Sequence, residues 1–163
     1  QNDRRFYVVM WKKEHQTYWK QEPFRAVGDA GVQIKVVHSI EGPGEMMRNS
    51  LWHREGKEDE TRNLFNDENK IGWQAKTSYR WELMHRPSIG LIRVKFFNDK
   101  RLIVDSGDLF DNTYRGGRVG LFCFSQSKVI WSDLVTRCNG QYLSVCVSVC
   151  VFVRVFVCVF VCE

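Results

Sequence analysis

Residues 77–104 read TSYRWELMHRPSIGLIRVKFFNDKRLIV, and this stretch decides the fold. Apolar and charged side chains alternate within Thr77–His85 and again within Ile89–Phe97. Alternation with a period of two is typical of a strand that buries one face. The Asn-Asp pair at 98–99 has the chemistry of a hairpin turn and precedes a third apolar run, Arg101–Val104. The stretch therefore predicts three strands joined by short turns.

Four further segments on either side are rich in β-branched and aromatic residues and predict strands, namely Phe6–Lys12, Gly31–Ile40, Arg118–Ser125 and Lys128–Thr136. The helical signal is weak, and only Pro43-Gly44-Glu45 predicts the start of a short helix, which runs through Leu51. The chain has 163 residues, of which 44% are hydrophobic and 13% aromatic, so it can build one globular core. These features predict an all-β antiparallel sandwich or jelly roll.

The charge pattern argues against nucleic acid as a partner. The net charge of +5 is spread along the chain rather than concentrated in one basic segment. In RRFYVVMWKK (residues 4–13), the apolar centre indicates a buried strand with charged ends rather than an exposed platform for bases.

An enzyme is not predicted either. Glu58, Asp59 and Glu60 are adjacent carboxylates, but consecutive residues of a strand face opposite ways, so we expect a solvated loop rather than a catalytic pair. The four histidines are scattered and form no metal-binding spacing with cysteine. A sandwich-fold glycoside hydrolase is thus the least supported alternative.

Three aspartates in one loop are candidate calcium ligands. Asp105, Asp108 and Asp111 offer the hard oxygen atoms that calcium prefers. Their spacing does not match an EF-hand, and local turns closed by aspartate side chains would explain the same residues without an ion. Both interpretations stay open, and we favour the turns.

The last stretch of the chain follows a different logic. Valine occupies every odd position from Val145 to Val161, while the even positions hold only Cys, Ser, Phe and Arg. As a strand this segment would have one valine face; as a membrane helix it would carry Arg154 at its centre at a cost of about 3 kcal/mol. Because repeated GTG-TGT codons encode Val-Cys, we interpret residues 140–163 as a low-complexity tail of translated repeat, outside a domain at 1–139, and favour no membrane span.

The cysteines give one disulfide candidate in the globular part. Cys138 follows the last predicted strand, and it is either bridged to a segment outside this chain or a free thiol. A bond between Cys123 and Cys138 is also conceivable, but it requires close Cα atoms.

Short blocks in chain order carry a family resemblance: RFYVVMWK (5–12), QTYW (16–19), FRAV (24–27), GPGE (42–45), RNSLWH (48–53), IGW (71–73), YRWEL (79–83) with HRP (85–87), GLIRV (90–94), DSG (105–107) and GGRVGLFCFSQ (116–126). Through them residues 1–139 resemble the C-terminal lectin-like domain of thrombospondins. The resemblance implies a concanavalin-type, L-type-lectin-like β-sandwich that lacks its N-terminal strands here, so that we expect unpaired edges and marginal stability.

The same resemblance implies a function. It implies a secreted module of the extracellular matrix that supports calcium-dependent cell adhesion, with most calcium ligands outside this fragment. The implied partners are matrix proteins and cell-surface receptors, namely integrins and the integrin-associated protein. The implied parent protein is a homo-oligomer assembled through a segment absent from this chain. A carbohydrate-binding lectin module is the alternative, for which Trp52 and Trp73 are candidate exposed rings.

Two segments resemble family peptides proposed to bind the integrin-associated protein. The first comprises Arg5, Phe6, Tyr7, Val8, Val9, Met10, Trp11 and Lys12, and the second comprises Ile92, Arg93, Val94, Lys95 and Phe96. The second departs from the family pattern, because Lys95 and Phe96 stand where a small apolar pair is common. The alternation predicts that Val94 and much of Val8–Met10 are buried.

Overall fold

The computed structural model describes residues 4–18, 26–57, 59–124, 129–138, 143–151 and 156–162. In chain order its elements are β1 (Arg5–Lys12), β2 (Gln16–Tyr18), β3 (Ala26–Gly28), β4 (Gly31–His38), α1 (Glu45–Trp52), β5 (Thr61–Asn66), β6 (Thr77–Arg86), β7 (Leu91–Asn98), β8 (Arg101–Asp105), β9 (Leu109–Phe110), β10 (Arg118–Phe124), β11 (Val129–Cys138), β12 (Leu143–Val151) and β13 (Phe156–Cys162).

Two antiparallel sheets form the body of the chain. The first has the strand order β10-β13-β1-β4-β5, and the second has the order β11-β12-β6-β7-β8 with β9 paired to β7. Strands β2 and β3 form a separate small ladder. The buried side chains of β1 and β4 belong to the same apolar cluster as those of β6 and β7, so the two sheets pack face to face. The predicted all-β sandwich is confirmed.

The stretch at 77–104 folds as the alternation predicts. Strands β6 and β7 pair along most of their length, with Trp81 opposite Phe96 and Leu83 opposite Val94. Strands β7 and β8 meet at a two-residue turn in which Asp99 has a φ of 53°, a left-handed conformation that aspartate tolerates. The predicted strands and the hairpin turn are confirmed.

Aromatic rings fill the space between the sheets. The ring of Trp11 on β1 lies 4.6 Å from that of Tyr79 and 5.1 Å from that of Phe96, both nearly edge-on. The rings of Trp81 and Phe96 lie 4.3 Å apart. The indole nitrogen of Trp11 donates a hydrogen bond to the Ile71 carbonyl at 2.7 Å, so this buried ring leaves no polar atom unsatisfied.

Helix α1 covers the other face of the first sheet. Met47 packs on an apolar patch formed by Phe6, Val8, Met10 and Val37. The predicted helix is confirmed, and it ends one residue beyond the predicted boundary at Leu51.

Two buried lysines hold the end of this helix. Lys12 on β1 donates to the Trp52 carbonyl at 2.8 Å, and Lys35 on β4 donates to the Ser50 carbonyl at 2.8 Å. The last carbonyls of a helix lack partners within the helix and carry partial negative charge, so cations are favoured there. Burial and the neighbouring Lys12 lower the pKa of Lys35 well below its ordinary value. The lysines thus replace a cap that the helix sequence does not supply.

One expected loop is partly a strand. Residues Thr61–Asn66 form β5 at the edge of the first sheet, and Glu60, expected in a solvated loop, is only 3% exposed. The backbone of Glu60 pairs with His38, which draws the residue under the sheet edge. Asp59 is exposed as expected, and Glu58 lies outside the described residues. The expectation that Glu60 is solvated was therefore wrong, although the residue does lie in the turn before β5.

The tail contributes a strand to each sheet. Strand β13 lies between β10 and β1, and β12 lies between β11 and β6. Strand β1 has a neighbour on each side, because β13 pairs with it from Phe6 to Trp11 and β4 pairs with it from Arg5 to Lys12. The expected marginal stability stays a prediction. The interpretation of residues 140–163 as translated repeat stays a prediction. Among the described residues, no helix has both the length and the apolar character needed to cross a membrane.

Removing the tail is expected to release residues 118–138, because in this structure β10 pairs with β13 and β11 pairs with β12. In a chain ending at residue 139, we expect amide hydrogen exchange within 118–138 to be at least about ten-fold faster than in the full chain. The amides of Leu91–Asn98 are the internal reference, because β7 keeps both neighbouring strands. Equal protection of 118–138 in the two chains would contradict the pairing.

Two adjacent phenylalanines test the core. Phe96 is fully buried between the sheets, whereas Phe97 faces outward with its ring 4.1 Å from the guanidinium carbon of Arg80. We expect Phe96→Ala to lower the free energy of unfolding by about 3–5 kcal/mol, because it leaves a cavity, and Phe97→Ala to lower it by less than about 1 kcal/mol. Urea titrations of both variants measure the difference, and similar losses would contradict the assigned faces.

Candidate functional site

The second of the two segments that resemble receptor-binding peptides, Ile92–Phe96, exposes only its two cationic side chains to water. On β7, Ile92, Val94 and Phe96 are at most 2% exposed. The side chains of Arg93 and Lys95 lie on the opposite face and are 33% and 34% exposed. The predicted burial of Val94 is confirmed. A partner of the folded chain would meet this segment through its two cationic side chains.

Arg93 is held by two aspartates that follow β7 in the chain. Its Nε and Nη2 atoms donate to the carboxylate of Asp105 at 3.0 and 2.7 Å, and Nη1 donates to Asp108 at 3.0 Å. The bidentate contact fixes the guanidinium plane. The Arg93 hydrogen bonds lower the pKa of Asp105, and Asp105 raises the pKa of Arg93. Lys95 lies 4.0 Å from the same carboxylate. We call Arg93, Lys95, Asp105 and Asp108 the outer charged patch.

The first segment that resembles a receptor-binding peptide, Arg5–Lys12, is almost entirely buried. It coincides with β1, in which Arg5 is exposed and every residue from Phe6 to Lys12 is at most 5% exposed. Two strands flank β1 and the core and α1 cover its faces, so no edge is open along most of its length. The predicted burial of Val8–Met10 is confirmed, and the receptor role of both segments stays a prediction.

The three candidate calcium ligands are occupied by other partners. Asp105 and Asp108 bind Arg93, while Asp111 accepts hydrogen bonds from Tyr7 at 2.5 Å and Arg62 at 2.6 Å. Asp105 and Asp111 also accept from the backbone amide two residues ahead, which closes the local turns considered from the sequence. Among the described residues, no group of three or more His, Cys, Asp or Glu side chains is arranged to hold a metal ion. These oxygens do not fit calcium as they stand.

A buried polar network surrounds Asp111 and was not visible in the sequence. The Tyr7 hydroxyl donates to Asp111 and accepts from the Tyr114 amide at 3.0 Å, and the Tyr114 hydroxyl donates to the Val37 carbonyl at 2.5 Å. The network joins β1, β4 and the loop before β10, and Arg62 adds β5. No local spacing could indicate it, because its members are brought together only by the strand order.

The network sets the ionisation of its members. Burial would raise the pKa of Asp111, but hydrogen bonds from Arg62, Tyr7 and Thr113 lower it to about 2. Burial and the neighbouring carboxylate raise the pKa of the Tyr7 phenol. Asp111 is therefore ionised and Tyr7 is protonated at neutral pH.

The rings that suggested a sugar site do not form a stacking platform. Trp52 is 9% exposed under the end of α1, and Trp73 is 2% exposed. A cavity of about 220 Å³ lies beside the start of β4, but three of its charged groups bind one another: Asp29 accepts a hydrogen bond from Arg54 at 2.9 Å and lies 3.5 Å from Lys70. Carbohydrate binding stays a prediction without support from these contacts.

The disulfide candidate lies at the end of a strand. Cys138 is the last residue of β11, where it pairs in register with Leu143. Cys123 is in β10, on the other sheet. The bonding state of Cys138 stays a prediction.

Comparisons with known proteins cover most of the chain. The family model described as the thrombospondin C-terminal region matches residues 1–140. Human thrombospondin-3 is 54% identical over 139 residues, which are 85% of this chain and 14% of that protein. Thrombospondin-4 of Bos taurus is also 54% identical with the same coverage, and the cartilage oligomeric matrix protein of Bos taurus is 52% identical over 85% of this chain and 18% of its own length. The chain thus spans less than a fifth of these relatives.

Acid titration tests the Asp111 network. The pKa of Asp111 in the folded chain is about 2 and its ordinary value is 3.8, so its stabilising effect is present above about pH 4 and is lost as the pH falls towards 2. This effect amounts to about 2 kcal/mol. We expect Asp111→Asn to lower the free energy of unfolding at pH 7 by about that amount, with a gap to the wild type that narrows by pH 2.5.

Asp108→Asn is the matched control, because the Asp108 side chain is 51% exposed and its ion pair is screened by water. Urea titrations at both pH values measure all three chains. A gap between the wild type and Asp111→Asn that stays constant from pH 7 to pH 2.5 would contradict the assignment.

Proposed function

Because the chain belongs to the thrombospondin C-terminal region family, we propose that it is a non-enzymatic module of the extracellular matrix that supports calcium-dependent cell adhesion. The family match carries this proposal. One relative is named cartilage oligomeric matrix protein, which agrees with a place in the matrix and with an oligomeric parent protein.

The arrangement of the acidic residues supports a role without catalysis. The adjacent carboxylates Asp59 and Glu60 differ in environment, since one is exposed and the other is buried at the edge of the first sheet. Two carboxylates that do not face one cleft cannot act together on a glycosidic bond.

The outer charged patch is the surface we propose for contact with cell-surface receptors, integrins or the integrin-associated protein, and with matrix proteins. Its side chains are partly exposed, and the Arg93–Asp105 and Arg93–Asp108 hydrogen bonds fix the Arg93 side chain, so this side chain loses little conformational entropy on binding. The segment Arg5–Lys12 is a poorer candidate for receptor contact, because only Arg5 is exposed to water.

The calcium dependence is proposed to arise outside these 163 residues. Asp105, Asp108 and Asp111 already neutralise arginines, and binding an ion there would require breaking those pairs. We therefore place the calcium ligands of the proposed adhesion in other parts of the parent protein.

A cell-attachment assay tests the proposal. Cells are plated on immobilised parent protein with and without a calcium chelator, using the wild type, Lys95→Gln and the control Lys100→Gln, which changes an exposed lysine in the turn after β7. We expect attachment in calcium only, and we expect Lys95→Gln to raise the coating concentration for half-maximal attachment about two- to five-fold, as loss of a partly exposed charge implies.

The outcomes separate the two parts of the proposal. No attachment to the wild type in either condition would reject an adhesive function. Attachment that is equal for Lys95→Gln and Lys100→Gln would reject the outer charged patch while leaving adhesion intact. Circular dichroism of each variant checks that the sheets are formed.

A further inference from the structure

The last two strands of the family-matched region, β10 and β11, are joined to the rest of the sandwich through β12 and β13, the two strands of the tail. Strand β10 pairs with β13 and β11 pairs with β12, and among the described strands neither has another partner. Strand β13 then pairs with β1, and β12 pairs with β6. Each sheet therefore contains a slot one strand wide, between β10 and β1 in one and between β11 and β6 in the other.

The slots accept a simple sequence pattern. In β13, Val157, Val159 and Val161 are the register partners of Trp11, Val9 and Tyr7, all of which lie in the core between the sheets. In β12, Val145, Val147 and Val149 are the register partners of three further core residues, Leu83, Trp81 and Tyr79. In both slots the valines thus lie opposite core residues of the neighbouring strand. β-Branched residues at alternate positions suit a strand with one face towards the core.

We propose that residues 5–138 act as a strand acceptor and that the tail of a second copy of this chain fills the slots, which gives a strand-exchanged dimer. Every backbone ladder that the tail makes within one chain is available in the same register from a second copy, so exchange sacrifices no pairing. Valine holds every odd position from 145 to 161, and no residue in that pattern restricts the donor to its own chain.

Concentration decides between the two arrangements. A tail joined to its own acceptor competes at a high effective concentration, which favours the monomer in dilute solution. Chains that fold at high concentration meet other acceptors before their own slots close. The exchanged dimer then persists, because returning to the monomer requires two central strands to leave their sheets.

A disulfide cross-link can detect the exchange, because Met10 is the register partner of Cys158 in the pairing of β1 with β13. One tagged chain carries Met10→Cys together with Cys158→Ser, so that it cannot close the bond within itself, and the second chain is wild type with another tag. The two chains are folded together at high concentration and oxidised. We expect a disulfide-linked heterodimer, in which peptide mapping joins the thiol at position 10 to Cys158 of the wild-type chain.

Val9→Cys with Cys158→Ser is the matched control, because position 9 is paired with Val159 and neighbouring strand positions face opposite ways. We expect about ten-fold less of the bond to Cys158 from this control, since disulfides need close and properly directed Cβ atoms. Light scattering gives the mass of the soluble wild-type chain, and circular dichroism compares all the variants. A monomeric mass at every folding concentration, no soluble dimer, or equal trapping at positions 9 and 10 would overturn the proposal.

Discussion

The packing of Trp11 against Tyr79, Trp81 and Phe96 is the contact on which the rest of the structure depends. It joins a strand of one sheet to two strands of the other, and buried aromatic rings contribute more apolar area than other side chains. Because adjacent residues of a strand face opposite ways, fixing these rings between the sheets also fixes which side of every neighbouring strand meets water.

That constraint decides what this domain can offer to a partner. On β7 the rings and branched residues turn inward, so Arg93 and Lys95 must turn outward, where Asp105 and Asp108 hold Arg93 in place. On β1 the residues that face away from the core between the sheets are also buried, because α1 covers that face of the strand. Two segments that look equally accessible as peptides are therefore unequal in the folded chain, and burial by the helix accounts for the difference.

The sequence predicted what depends on local periodicity. Burial alternates strictly in β6 from Tyr79 to Arg86 and in β7 from Ile92 to Phe97, and both strands were predicted within about two residues, as was the turn containing Asp99. Strand β5 was missed, because TRNLFN has a weak alternation and pairs with β4 through a shifted register. The network around Asp111 and the lysines under α1 were missed for a different reason: their partners are distant in the chain, and a buried charge is intelligible only when its partner is known.

The tail shows how little sequence a central strand requires. A strictly alternating segment can pair in two ways that differ by one residue, so that either its odd or its even positions lie opposite the core residues of the neighbouring strand. In this structure the valines at odd positions are the register partners of Tyr7, Val9 and Trp11, all of which belong to the core between the sheets. A shift of the pairing by two residues would still place valines opposite these core residues. The acceptor strands and the chain connections, rather than the tail sequence, must therefore set the register. A segment with valine at every second position thus carries enough information to complete a sheet whose neighbouring strands supply the specificity.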